Sequence, residues 1–286
     1  MKLKIIGVPM HYGVNTYGLN CGIDELKKHD SSLNSMEMIN IIYDSAKDRH
    51  EKNLKFINTV NTVCTSLATS VSSAVEDNYI PLIIGGDHSI SIGSVSGVAK
   101  HKKIGILWLD AHADMNTPSI TPTGNIHGMP LSALQGYGDD RLVNCFYKGK
   151  KVNEENVVVF GARDLDKQEN EFVKELDNTI MWYSDIEKQG IDKSLAKAYD
   201  LLMNKTEGIH LSIDIDSIDP KECPGVSVPV KSGFKRKEAL YIIEYFLKTK
   251  SLVSIDLVEY NPVYDKGDKT LKFALDVINL IKKYYE

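Results

Sequence analysis

A three-layer α/β/α fold around a mostly parallel sheet is what this sequence predicts, and two observations predict it. Apolar runs of strand length alternate with longer stretches of helical period from one end of the chain to the other. Several of the short runs are unbroken Ile, Val and Leu, as expected of strands covered on both faces. The expected strands are Lys4–Val8, Ile80–Ile84, Ile104–Leu109, Val157–Phe160, Thr179–Trp182, Ile209–Ile215 and Val253–Val258. Between them, apolar residues recur at three- and four-residue steps: from Ile57 to Ala74, Leu195 to Leu202, Leu240 to Leu247 and Leu271 to Ile281. Each such stripe buries one helix side against a sheet. Lys27–Asn53 is polar and weakly periodic and reads as a helix-and-loop excursion. No Pro- or Ser-rich linker and no internal repeat breaks the alternation, so a single domain over residues 1–286 is expected.

Composition narrows the function. The 286 residues are 42% hydrophobic and 26% charged, ordinary globular values that disfavour disorder. Thirty-four basic against thirty-nine acidic residues give a charge of −5, which argues against nucleic-acid binding through bulk charge. No run approaches the roughly 20 apolar residues that a membrane helix needs. The start, Met1 to Gly7, is too short and too soon interrupted for a signal peptide and reads as the first strand. Cys21, Cys64, Cys145 and Cys223 are scattered, which fits reduced thiols and a cytoplasmic location.

Three apolar strands run straight into chemistry. One ends Gly85-Gly86-Asp87-His88-Ser89, one ends Asp110-Ala111-His112-Ala113-Asp114, and one ends Asp214-Ile215-Asp216. Ligand sites in parallel α/β sheets lie outside the carboxyl ends of the strands. Residues two apart in extended chain point the same way, so continued strands would project Asp110, His112 and Asp114 together, and Asp214 with Asp216. A lone Asp after a strand is ordinarily a turn residue or a helix N-cap. Here Asp87 is read as supporting a neighbour and Asp219 as starting a turn. The remaining four carboxylates repel one another, and two divalent cations would balance them. Four hard oxygens and two imidazoles suit Mn²⁺ or a similar ion. A pair of such ions can hold a bridging hydroxide, and hydrolysis is the reaction that follows.

At these residues the chain resembles the ureohydrolase family, the arginases, agmatinases and their relatives. The resemblance runs from Gly7-Val8-Pro9-Met10 to Glu259-Tyr260-Asn261-Pro262. It implies two Mn²⁺ per chain. His88, Asp110, Asp114 and Asp214 would hold one ion, and Asp110, His112, Asp214 and Asp216 the other. It further implies that His127, in Gly124-Asn125-Ile126-His127-Gly128, shuttles protons and that Glu259 grips a guanidinium group. A small cationic guanidino substrate and assembly as a homotrimer or homohexamer complete the expectation.

Within the family, the loops around Asn116, Thr123 and Asn125 are similar to those that contact the α-carboxylate of arginine in arginases. Asp166 and Glu169 resemble residues near its α-amino group. The expected reaction is therefore L-arginine to L-ornithine and urea. The alternatives are agmatine to putrescine and urea, or another guanidino-acid or formiminoglutamate substrate. One departure stands out: where the arginase pattern has Gly-Thr-Pro, this chain has Ser227-Val228-Pro229, so a threonine hydroxyl is missing. A non-enzymatic relative and a one-metal zinc deacetylase are the rival classes. His11, His29, His50 and His101 join no constellation, and His210 reads as a packed core residue.

Overall fold

The computed structural model describes residues 2–43, 45, 48 and 51–285. Among them eight strands form one sheet: β1 (Lys2–Val8), β2 (Glu37–Met38), β3 (Tyr79–Gly85), β4 (Ile104–Leu109), β5 (Val157–Ala162), β6 (Thr179–Trp182), β7 (Gly208–Asp214) and β8 (Leu252–Val258). Their order across the sheet is β2-β1-β3-β8-β7-β4-β5-β6. Every pairing is parallel, so the sheet is wholly rather than mostly so.

The helices are α1 (Gly22–His29), α2 (Ile57–Glu76), α3 (Ser91–Ala99), α4 (Pro130–Leu134), α5 (Asp140–Val143), α6 (Lys167–Val173), α7 (Tyr183–Gln189), α8 (Ile191–Met203), α9 (Arg236–Thr249) and α10 (Lys269–Tyr285). They make two cores, one on each side of the sheet. On β4, Ile104, Ile106 and Trp108 face the core shared with α2 to α6. Leu107 and Leu109 face the core shared with α1 and α7 to α10. Alternate side chains of a strand point to opposite faces, so an unbroken apolar run is what a doubly covered strand requires. Each buried Leu, Ile or Val contributes roughly 1.5–3 kcal/mol.

The expected strands match within two residues at each end, and the four stripes lie on α2, α8, α9 and α10. Helices α3 to α7, most of α1 and strand β2 go beyond the sequence expectation; α4 to α7 are four to seven residues long, too short to set a period. Helix α3 carries no stripe because Ser91 to Val98 are all buried, so it has no polar face to set a period. It packs closely on α2: a Cβ on Gly93 would lie 2.4 Å from the Cys64 carbonyl oxygen. The Lys27–Asn53 excursion holds the end of α1, a 3₁₀ turn at Ser31–Ser35 and β2, a two-residue edge strand too short to announce itself. His50 lies outside the described residues.

Candidate metal centre and substrate pocket

Strands β3, β8, β7 and β4 are neighbours at the middle of the sheet, and their carboxyl ends deliver His88, Glu259, Asp214 and Asp110 in that order. The convergence is not made by continued strands, as alternation predicts. Strand β4 stops at Leu109, β7 stops at Asp214, and Asp114 has φ 51°, in the left-handed region. A turn replaces the strand each time, and an Asp builds it. Asp87 accepts from Ser89 N, Asp110 Oδ1 from His112 N at 2.7 Å, and Asp214 Oδ1 from Asp216 N at 2.7 Å. Asp side chains favour this bond to the backbone two residues on. The turn-forming and ligand readings therefore both apply to Asp110 and Asp214, one oxygen each. Asp87 spends its second oxygen on Gly13 N and stays a support, as expected. Asp219 accepts from Lys221 N in its turn.

The carboxylate oxygens converge on two imidazoles. His88 Nδ1 stands 3.0 Å from Asp110 Oδ2 and 3.1 Å from Oδ2 of both Asp114 and Asp214. His112 Nδ1 stands 3.0 Å from Asp216 Oδ2 and 3.4 Å from Asp110 Oδ1. Two groups of converging donor atoms result, His88–Asp110–Asp214 and Asp110–His112–Asp216, with Asp110 common to both. His88 Nδ1 and Asp110 Oδ2 are buried, yet neither makes a hydrogen bond. Lone pairs gathered on a point without bonding one another are the arrangement a cation would satisfy. The oxygen and imidazole donors suit a hard or borderline divalent ion such as Mn²⁺.

Electrostatics agree. Burial and the neighbouring Asp216 and Asp110 push the Asp214 carboxyl well above its usual range, and burial with Asp110 pushes Asp216 up to about 6. Burial opposes charge on His88, but its three carboxylates outweigh burial and hold the imidazole well above the histidine norm. Crowded carboxylates and imidazoles of this kind favour added positive charge at the centre.

Behind His88 lies a support that sequence reading did not identify. Its Nε2 is 2.8 Å from Ser212 Oγ, which leaves Nδ1 to face the centre. Ser91 Oγ lies 3.4 Å from that hydroxyl and donates to Asp256 Oδ2 at 2.7 Å. Asp256 is also 3.3 Å from His210 Nε2, so His210 is a packed core residue, as expected. Trp108 stacks on the His88 ring at 3.9 Å.

A cavity of about 230 Å³ opens above the centre, and His112, Asp114, Asp214, Asp216, His127 and Glu259 all line it. Glu259 is 3% exposed and has φ 66°. Its Oε1 accepts from His88 N at 3.0 Å and lies 3.2 Å from His127 Nδ1, while Oε2 is buried without a partner. Burial opposes charge on His127, and Glu259 outweighs it, raising the imidazole above its ordinary value.

The rim residues named from the sequence also line this cavity, but they are committed differently. Asn116 Nδ2 donates to Asp166 Oδ2 at 3.1 Å, and its Oδ1 is buried and unpartnered. Glu169 accepts from Met115 N and Asp166 N, so both oxygens are spent on backbone, and burial raises its carboxyl to about 8. Thr123 Oγ1 accepts from Asn125 N at 3.1 Å, and Asn125 Oδ1 accepts from Lys55 Nζ at 3.1 Å. Asp164 joins the lining unannounced, next to the expected Asp166. Lys55, which lies behind Asn125 and outside the lining, had no signal at all. Val228 lines the cavity and is 37% exposed. Ser227 Oγ is 3.2 Å from Asn261 Nδ2 and is not among the lining residues.

A family model described as the arginase family matches residues 1–281. An arginase of Brevibacillus brevis is 35% identical over 290 residues, covering 98% of this chain and 97% of its own. The native arginase structure of Bacillus caldovelox at pH 5.6 superposes with a TM-score of 0.92 at 33% identity, covering 99% of this chain and 98% of its own. Formimidoylglutamase of Bacillus subtilis shares the fold, with a TM-score of 0.78 at 21% identity over 99% of this chain and 87% of its own.

Proposed function

The chain belongs to the arginase family of hydrolases, and from that premise we propose that it converts L-arginine and water to L-ornithine and urea using two Mn²⁺ per chain. The observation that carries the reading is the unpartnered Glu259 Oε2 beside two His/Asp groups. A buried carboxylate oxygen with no donor is costly unless a ligand supplies one. A guanidinium group supplies several in a plane, and it brings the positive charge as well.

His88, Asp110, Asp114 and Asp214 would hold one ion, and Asp110, His112, Asp214 and Asp216 the other. When bound, the two ions supply an activated water as nucleophile. Glu259 would hold and orient the guanidinium through Oε2. His127 Nδ1–H donates to Glu259 Oε1, which fixes the tautomer and leaves Nε2 to carry a proton to the departing amine. At the far end, Asp164 and Asp166 provide negative charge for an α-ammonium group, and Thr123 and Asn125 provide donors for an α-carboxylate. Residues 1–286 act as a single domain in this reading. We carry over the family's trimeric or hexameric assembly and a cytoplasmic location. Among the described residues no helix is long and apolar enough to cross a membrane.

The test is a substrate panel. Manganese-loaded chain is offered L-arginine, agmatine, guanidinobutyrate and formiminoglutamate separately, and bound metal is counted. Urea and ornithine from L-arginine with two metals per chain is the expected result. Urea from agmatine alone would overturn the substrate assignment, and one metal per chain would overturn the paired centre.

A further inference from the structure

Asn116 and Asn125 are held in opposite senses. Asn116 is tied to an acid, Asp166, through its NH₂ group. Asn125 is tied to a cation, Lys55, through its carbonyl oxygen. An ammonium group has donors and no acceptor, so the Asn125 amide can face it only with oxygen. Both Asn125 N–H donors are then left for a ligand in the cavity. Resting on the proposed function, we propose that Lys55 is a positioning residue for substrate selection: it turns Asn125 into a fixed donor, and its charge favours guanidino substrates that carry an α-carboxylate.

Lys55 is held in place rather than carried on a loose surface arm. Its backbone N–H donates to Gly124 O at 3.0 Å, beside the very residue it orients. Asn53 Nδ2 donates to Pro118 O at 2.7 Å, which ties the same segment to the opposite end of the rim loop. Glu51 receives both terminal nitrogens of Arg141 at 2.7 Å each. Gly124 has φ 73°, and a Cβ there would sit 2.1 Å from the Lys52 carbonyl oxygen, so segment and rim loop are in close contact. Among the described residues, no carboxylate lies within ion-pair distance of Lys55. Among those residues its charge is shared only with the Asn125 carbonyl oxygen. Lys55 stands behind Asn125, outside the lining, and the lining itself carries Asp164, Asp166 and Glu259, a set that would repel a carboxylate. Lys55 is the counterweight on the side where Asn125 stands.

The test compares full-length, manganese-loaded wild type with Lys55→Met and Lys55→Arg, using L-arginine and agmatine. Lys55→Met should raise KM for L-arginine about tenfold with kcat within about twofold, and leave the agmatine constants unchanged. Lys55→Arg, which keeps the donor and the charge, should recover most of the loss. Binding of L-ornithine and putrescine by calorimetry should show the same contrast, with ornithine weakened and putrescine unaffected. An unchanged KM for L-arginine, or equal losses on both substrates, overturns the role of Lys55 while leaving the proposed function intact. A wild-type chain that turns over agmatine and not L-arginine overturns the proposed function, and the role of Lys55 falls with it.

Discussion

The floor of the pocket and its rim are built by different means. At the floor, Asp110 and Asp214 leave the ends of central strands and each uses one oxygen to make its own turn, with His112 N and Asp216 N. Position is set by the sheet. At the rim, Asn116 and Asn125 share one long loop while Asp164 and Val228 come from two others, and contacts between distant segments orient them, such as Lys55 with Asn125 across 70 residues. Chemistry is thus placed at the ends of the fold's central strands, and substrate choice by contacts between distant segments.

Substitutions at the floor should therefore abolish turnover, and those at the rim should tune it. The largest effect is expected for Asp110→Asn, which keeps the oxygen that accepts His112 N but loses the charge common to both donor groups. Bound manganese should fall, and urea release should fall by about 10³-fold or more. Full metal content and activity in that variant would break the division. Glu259→Gln comes next: kcat/KM for L-arginine should drop about 100-fold, as expected when a charged hydrogen-bond partner is lost, with metal content unchanged.

Glu169→Gln separates rim architecture from rim recognition. Burial raises the wild-type carboxyl from 4.5 to about 8. Between those pH values the unfolded chain has shed a proton that the folded chain keeps, so wild-type stability falls as pH rises, by up to about 1.4 kcal/mol per pH unit. Below the lower value both states are protonated, and the effect vanishes. The glutamine variant should lack this slope when urea unfolding is followed from pH 5 to 8. A slope equal to wild type would show that Glu169 is not the group responsible. The smallest effect belongs to Val228→Thr, which restores a rim hydroxyl; kcat/KM for L-arginine should rise by less than about tenfold. A larger gain would mean that the rim governs chemistry as well as choice.

The same division explains what could be read from the sequence. The strands were legible because doubly covered strands must be apolar runs, and the floor followed because His88, Asp110 and Asp214 sit at their ends. The geometry of the floor was not legible. Alternation put Asp110, His112 and Asp114 on one side of an extended chain, whereas a turn and a left-handed Asp114 bring them together. Helix α3 was hidden because both its faces are buried. Lys55 was hidden because nothing in Glu51-Lys52-Asn53-Leu54-Lys55 sets one lysine apart from the other; only the fold lays that segment against Gly124. Glu169 was expected beside the substrate, and it does line the cavity, but its oxygens serve the backbone.

The strand order carries a consequence for biosynthesis. The strand that joins β1–β3 to β4–β7 is β8, the last of the eight in chain order. Until it arrives, a nascent chain holds two half-sheets with bare edges at β3 and β7, and such edges invite mispairing. Its insertion fuses the halves and brings Glu259 to the pocket in one event. The strand that completes the sheet is thus also the one that completes the pocket.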